Sequence, residues 1–283
     1  IDNNPLKIRN YTKKHLLTDE FIKVLDDLKN NNGVCISLDE VLDTLEKKKK
    51  FENYSYSLTF DDGFYNNYKI AAPILKNRKL SATFYLTTKF IDKNEMSWID
   101  KIEHMVENLK KEIKINLFNK KFKIENNIKS KKKFLESVRY LAKRNKINLN
   151  SLVLSFKRQI KYKKKITNLN NILDKKMSWK HVKKLNKFKN FSIGGHTVNH
   201  QILSFLNYEK SKKEINDSIN LLRRKLKTKT HHFSYPEGLR HTYGLREIKI
   251  LKKKGIKICP SAEFGTNTKN SNLFNLKRIF VNK

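Results

Sequence analysis

The chain has 283 residues, enough to bury one sizeable hydrophobic core. Lysine and arginine total 63 against 27 acidic residues, a formal charge of +36. Such an excess fits a polyanionic partner (nucleic acid, an anionic membrane, an acidic glycan) or a compositional drift of the surface toward lysine, because the basic residues are spread along the whole chain. Two cysteines, Cys35 and Cys259, exclude a disulfide framework, and no uninterrupted apolar run reaches membrane-spanning length.

Phe21, Val24, Leu25 and Leu28 recur at helical spacing, and Asn30-Asn31-Asn32-Gly33 reads as a turn. A strand-like run at 34–37 follows, where Ser37 and Glu40 have capping-box spacing for the next helix. Tyr56, Leu58 and Phe60 then alternate with Ser55, Ser57 and Thr59, which predicts a strand with one apolar face. It ends in Asp61-Asp62-Gly63. Two adjacent carboxylates repel, so folding alone gives no reason for the pair, and a divalent cation between them is the simplest one. Taken alone, Asp-Asp-Gly is more often a turn than a site.

A helix is expected over 66–78, with Ile70, Ala71, Ile74 and Leu75 on one face, then a strand over 81–87. This strand–helix–strand beat argues parallel βαβ units. Residues 97–176 break it. Helices are expected at 98–111 and 131–145, so the stretch reads as a helical insertion or lid within a single domain over 1–283.

The beat resumes at Met177-Ser178-Trp179, with a helix near 179–187 and a strand-like run, Phe191 to Gly195. His196 and His200 come next, four apart, so that one helical turn would present both imidazoles on one side. Two histidines and one aspartate leave a coordination position free for water, the pattern of catalytic rather than structural zinc. A helix at 208–227 precedes a third run, His231-His232-Phe233-Ser234-Tyr235-Pro236-Glu237-Gly238, in which proline and glycine mark a strand exit. A helix at 244–254 and strands at 256–259 and 276–281 complete the pattern. All three polar clusters fall at C-terminal strand ends, the rim on which β/α barrels build their chemistry. Cys35 and Cys259 both lie in strand-like runs and read as small buried hydrophobes.

With Thr59-Phe60-Asp61-Asp62-Gly63, His196-Thr197-Val198-Asn199-His200 and Ser234-Tyr235-Pro236-Glu237-Gly238 in this order, the chain resembles the polysaccharide deacetylases, the NodB-homology enzymes of carbohydrate esterase family 4. The resemblance covers about 20–96 and 177–281, with Met177-Ser178-Trp179 and Leu276-Lys277-Arg278-Ile279 as softer features. It implies an α/β fold, a distorted, incomplete (β/α) barrel, and metal-dependent removal of N-acetyl groups from amino sugars of a poly- or oligosaccharide.

By the same resemblance Asp61 is the catalytic base. Asp62, His196 and His200 hold the metal, for which zinc is expected and cobalt or nickel also suit the donors. Thr197 braces the histidine motif. Tyr235, Pro236 and Glu237 form the oxyanion and substrate wall, through the Glu237 backbone N–H. The family's third motif often opens with arginine and carries an aromatic before its glycine, whereas this chain has Ser234 and Glu237. Arg278 is therefore expected to orient Asp61 from the last strand. The family also uses a late histidine as general acid; none follows His241 here, so that His241, Glu237 or a residue before Ile1 is expected in that role. His15, His104 and His181 read as surface or packing residues.

Two other functions fit parts of the pattern: a catalytically impaired relative that binds glycan, and a basic nucleic-acid-binding protein, although no specific nucleic-acid motif is present. The chain shows no signal peptide and begins with Ile1 rather than Met, as a processed or truncated product does, and both cytoplasm and cell envelope stay open.

Overall fold

The structure, a computed structural model, describes residues 8, 10–12, 14–51, 54–166 and 173–281. In chain order the first elements are α1 (Thr18–Asn30), β1 (Val34–Cys35), α2 (Leu38–Glu46), β2 (Ser55–Tyr56) and β3 (Leu58–Phe60). A π-helical turn (Asn67–Ala71) leads into α3 (Ala72–Asn77), β4 (Ala82–Leu86) and α4 (Thr88–Lys93). Then come α5 (Trp98–Glu107), β5 (Ile113–Leu117), β6 (Lys120–Ile124), α6 (Ile128–Ala142) and α7 (Leu149–Gln159). The last are α8 (Trp179–Leu185), β7 (Phe191–Gly195), α9 (Tyr208–Leu226), α10 (Leu245–Lys253), β8 (Pro260–Phe264) and β9 (Leu276–Arg278).

Two compact units are present: Thr18–Glu95 with Lys175–Val281, and Met96–Asp174 with the N-terminal stretch to Leu17. The larger is an incomplete parallel barrel. β3, β4 and β7 form a three-stranded parallel sheet. Parallel bridges continue it from Gly195 to Phe233 and from His232 to Ile258. β8 and β9 pair in parallel, as do β1 and β2. Every residue of β4 is buried, as expected of a central parallel strand covered on both sides.

Local chemistry explains several departures from the simple beat. The strand expected over 55–60 divides at Ser57, whose hydroxyl donates to the Ile36 carbonyl at 2.7 Å. The helix expected over 66–78 starts with π geometry ahead of Pro73, which has no amide hydrogen for an i→i−4 bond. The capping box at Ser37 and Glu40 is formed. It starts α2, whose buried Leu38, Val41, Leu42 and Leu45 pack with Tyr85, Ile258 and Leu276. Gly194 is required beside this core, because a Cβ there would lie 2.5 Å from the Tyr85 ring. The strand expected at 256–259 begins later, at Pro260, with Ile258 in an isolated bridge.

The smaller unit has its own core, in which Ile102, Met105 and Val106 of α5 meet Leu135 and Val138 of α6 and Phe156 of α7. It is not helical throughout. The first expected helix stops at Glu107, and an antiparallel hairpin of β5 and β6 follows. Ile113, Ile115 and Leu117 alternate with Lys114 and Asn116, a period of two. Phe118 and Asn119 form the two-residue turn, both left-handed with φ of 54° and 57°, as this class of hairpin turn requires.

Candidate active site

The Asp61-Asp62-Gly63 run leaves β3 through a left-handed turn, with φ of 70° at Asp62 and 71° at Gly63. A non-glycine residue in that region is strained, and such strain collects at functional sites. Here it sends the two neighbouring carboxylates to different partners.

Asp62 faces the histidines. Its Oδ1 lies 3.6 Å from His196 Nε2 and 3.2 Å from His200 Nε2. Ligands 2.0–2.1 Å from a tetrahedral ion stand about 3.3 Å apart, so these spacings suit a shared cation. The same oxygen is buried and has no hydrogen-bond partner, a costly state that a cation would relieve. His196 Nδ1 lies 2.7 Å from the Ser234 carbonyl. Donation through Nδ1–H leaves the Nε2 lone pair directed at the site. Burial holds the His196 pKa below the usual histidine value, against the opposing pull of Asp61, and so favours the neutral ring that ligates.

The two histidines are not on a helix. Residues 196–200 form a turn with left-handed Thr197 (φ 64°) and His200 (φ 55°). The helical-turn expectation fails because β7 ends at Gly195 and a right-handed helical turn does not accommodate left-handed residues at 197 and 200. The turn is held from three sides. Thr197 Oγ1 accepts from the His200 amide at 3.0 Å. Thr88 and Lys89, in α4, donate their amides to the Thr197 and Val198 carbonyls. Glu214, on α9, accepts from the amides of Val198 at 3.0 Å and Asn199 at 2.8 Å.

Asp61 takes a different partner. Arg278 reaches it from β9 with two parallel hydrogen bonds, 3.0 Å to Oδ1 and 2.9 Å to Oδ2. The remaining N–H groups of this guanidinium go to Thr59 Oγ1 at 3.2 Å, Ser234 Oγ at 3.3 Å and the Ser261 carbonyl. All five of its donors are thus engaged. Burial alone would raise the Asp61 pKa; the charge of Arg278, with the histidines and the Arg278 hydrogen bonds, outweighs it and holds the carboxyl below the usual range. Asp61 therefore stays ionised and able to accept a proton.

The third run, Ser234 to Gly238, lies beside this site through the Ser234 carbonyl. The Tyr235 ring is buried, stacks on Tyr243 at 3.7 Å between centroids, and donates its hydroxyl to the Phe274 carbonyl. That side chain is thus engaged inside the fold by stacking and by its hydroxyl bond. Pro236 is buried, and Glu237 and Gly238 are left-handed with φ of 61° and 55°. His241 lies on an exposed turn beside Phe205. Sequence reading did not single out Thr59, Ser234 or Glu214 as site residues. Glu214 left one weak sign: it is an acid flanking the buried positions Ser211, Ile215 and Ser218 of an amphipathic helix.

At the end of β3 two adjacent carboxylates thus have different partners, Asp61 the Arg278 guanidinium and Asp62 the two imidazoles. The polysaccharide deacetylase family profile matches residues 48–258, and the chain belongs to this family of carbohydrate deacetylases. A search of curated protein sequences finds no match. Among solved structures, the fold is similar to the Streptococcus pyogenes deacetylase PplD in complex with acetate, with a TM-score of 0.59, 18% identity, and 93% of this chain and 80% of that one covered. IcaB from Ammonifex degensii is similar at TM-score 0.59 and 16% identity, over 94% and 84% of the two chains. The deacetylase domain of BpsB from Bordetella bronchiseptica is similar at TM-score 0.57 and 13% identity, over 91% and 82%. Among the described residues, no helix is long and apolar enough to cross a membrane.

Proposed function

We propose that this protein removes N-acetyl groups from amino sugars of a poly- or oligosaccharide, with a divalent metal, zinc first, held by Asp62, His196 and His200. The observation that carries the reading is the division of labour between adjacent acids: Asp62 Oδ1 is left without a hydrogen bond between two imidazoles, while Asp61 is gripped by Arg278. A bound zinc ion would polarise the amide carbonyl and acidify the attacking water.

The chain's own groups supply the rest. Asp61, kept ionised by Arg278, accepts the proton of the water as its oxygen attacks the acetyl carbon. The backbone N–H at Glu237, in the loop after Tyr235 and Pro236, is our candidate donor to the oxyanion that develops on the carbonyl oxygen. Cleavage of the C–N bond, with a proton delivered to nitrogen, yields acetate and the free amine. His196 keeps its ligating nitrogen unprotonated through its bond to Ser234, and Glu214 keeps His200 in its left-handed turn.

The test is acetate release from N-acetylglucosamine oligomers, with metal content measured on the same samples. Wild type should carry metal and release acetate, and a chelator should stop it. Asp61→Asn should retain the metal and lose turnover, whereas His196→Ala should lose both. A metal-loaded wild type that binds such oligomers and never releases acetate from any N-acetylated glycan would refute the enzymatic reading in favour of a glycan binder.

A further inference from the structure

Three side chains outside the site repeat its donor set. Asp39 lies in the first turn of α2, and His231 and His232 open the segment that leads to Ser234. Asp39 Oδ1 stands 2.5 Å from His231 Nε2 and 3.1 Å from His232 Nε2. Both imidazoles thus converge on one carboxylate oxygen, as His196 and His200 do on Asp62. Among the described residues these two triads are the groups whose candidate ligand atoms all lie within 4.8 Å of one another.

The convergence is unusual for the chain that makes it. Neighbouring residues of an extended segment point to opposite faces. Yet the His231 and His232 rings lie 4.4 Å apart and only 33° from parallel. An ion pair with Asp39 needs one imidazole, and two protonated rings at this separation repel. A cation accepting both lone pairs uses the arrangement fully.

The surroundings suit a bound ion. The His232 side chain is 3% exposed, His231 33% and Asp39 48%, so the cluster is anchored inside and open to water on one side. Ser192 Oγ donates to Asp39 Oδ2 at 3.3 Å. Ser192 lies near the start of β7, four residues and about 13 Å of strand before His196. The cluster therefore sits toward the amino-terminal ends of the strands, where α2 packs on Tyr85, Ile258 and Leu276. That end of a barrel serves stability rather than chemistry.

We propose that Asp39, His231 and His232 bind a second divalent transition metal of the zinc class, a structural ion that ties α2 to the strand segment at 232–233. Water completes its coordination. The 2.5 Å contact between His231 and Asp39 is a hydrogen-bond distance; the ion replaces its proton and opens it toward the tetrahedral spacing of about 3.3 Å. Asp39, half-exposed at a helix start, has room for that movement. This site stands independently of the reading of the first.

The experiment is a zinc chloride titration against a chromophoric chelator, with elemental analysis, on wild type, His231→Ala and the double variant Asp62→Asn/His200→Ala. Expected stoichiometries are two for wild type, one for each variant and none when all three substitutions are combined; zinc should also raise the melting temperature of the double variant. A double variant that binds no zinc and melts at the same temperature with or without it would show a hydrogen-bonded ion pair only and overturn the proposal. Should the double variant fail to fold, wild type and His231→Ala decide the matter: equal zinc content in the two refutes the site.

Discussion

Replacing Arg278 by alanine tests the reading of Asp61 most directly. The side chains of the pair are 19% and 29% exposed, too sheltered for solvent to screen the interaction away. Removing one partner of a sheltered pair leaves the other charge uncompensated, at a cost of about 3 kcal/mol or more in stability. The same change deprives Thr59, Ser234 and the Ser261 carbonyl of their donor.

The effect on catalysis follows from what then governs Asp61. Without the guanidinium, burial dominates and the carboxyl pKa rises. The acid limb of the kcat/KM profile should therefore move to higher pH. The carboxylate also loses both bonds that fix its plane, and a misplacement of about 1 Å is enough to lower kcat on the order of 10²-fold. Arg278→Lys should fall between wild type and alanine, because an ammonium restores charge but not the paired geometry. The assay is acetate release across a pH series, with metal content and thermal melting on the same preparations. Unchanged kcat and an unchanged acid limb in a folded, metal-loaded Arg278→Ala protein would refute the orienting role.

Other substitutions probe the supports. Glu214→Ala should weaken metal binding roughly 10- to 100-fold, because the amides of Val198 and Asn199 lose their acceptor and the turn carrying His200 relaxes; a zinc affinity equal to wild type would contradict this. Gly194→Ala should lower the melting temperature by several degrees, since the added methyl meets the Tyr85 ring at 2.5 Å in a core without slack. In the smaller unit, burial raises Glu103 to about 7, against the pull of Lys14, whose Nζ lies 3.3 Å away. A carboxyl with its folded pKa above its unfolded one binds more protons when folded, so its contribution to stability declines as pH rises from about 4.5 to about 7. Urea denaturation of wild type and Glu103→Gln over that range should show the decline removed in the variant; parallel pH dependences would rule it out.

The residue order alone carried the three motifs, because strand alternation and the glycines and proline that end strands are local signals. The face of α9 and the Ser37–Glu40 cap were readable for the same reason: each depends on residues within a turn or two of one another. The hairpin at 113–124 was also written as a period of two, but its strands are short and lysine-rich and follow directly on a helical pattern.

The site itself depended on distance. Arg278 was expected to reach Asp61 across 217 positions of sequence, and only the parallel ladder from β3 round to β9 sets whether and how it does so. The left-handed turn at 196–200, the acceptor role of Glu214 and the meeting of Asp39 with His231 and His232 have no local signature. Local periodicity records what a residue's neighbours in the chain impose. Which carboxylate meets which cation or imidazole is settled by how α2, α9 and β9 pack against the strands, an outcome of the whole chain that no short window contains.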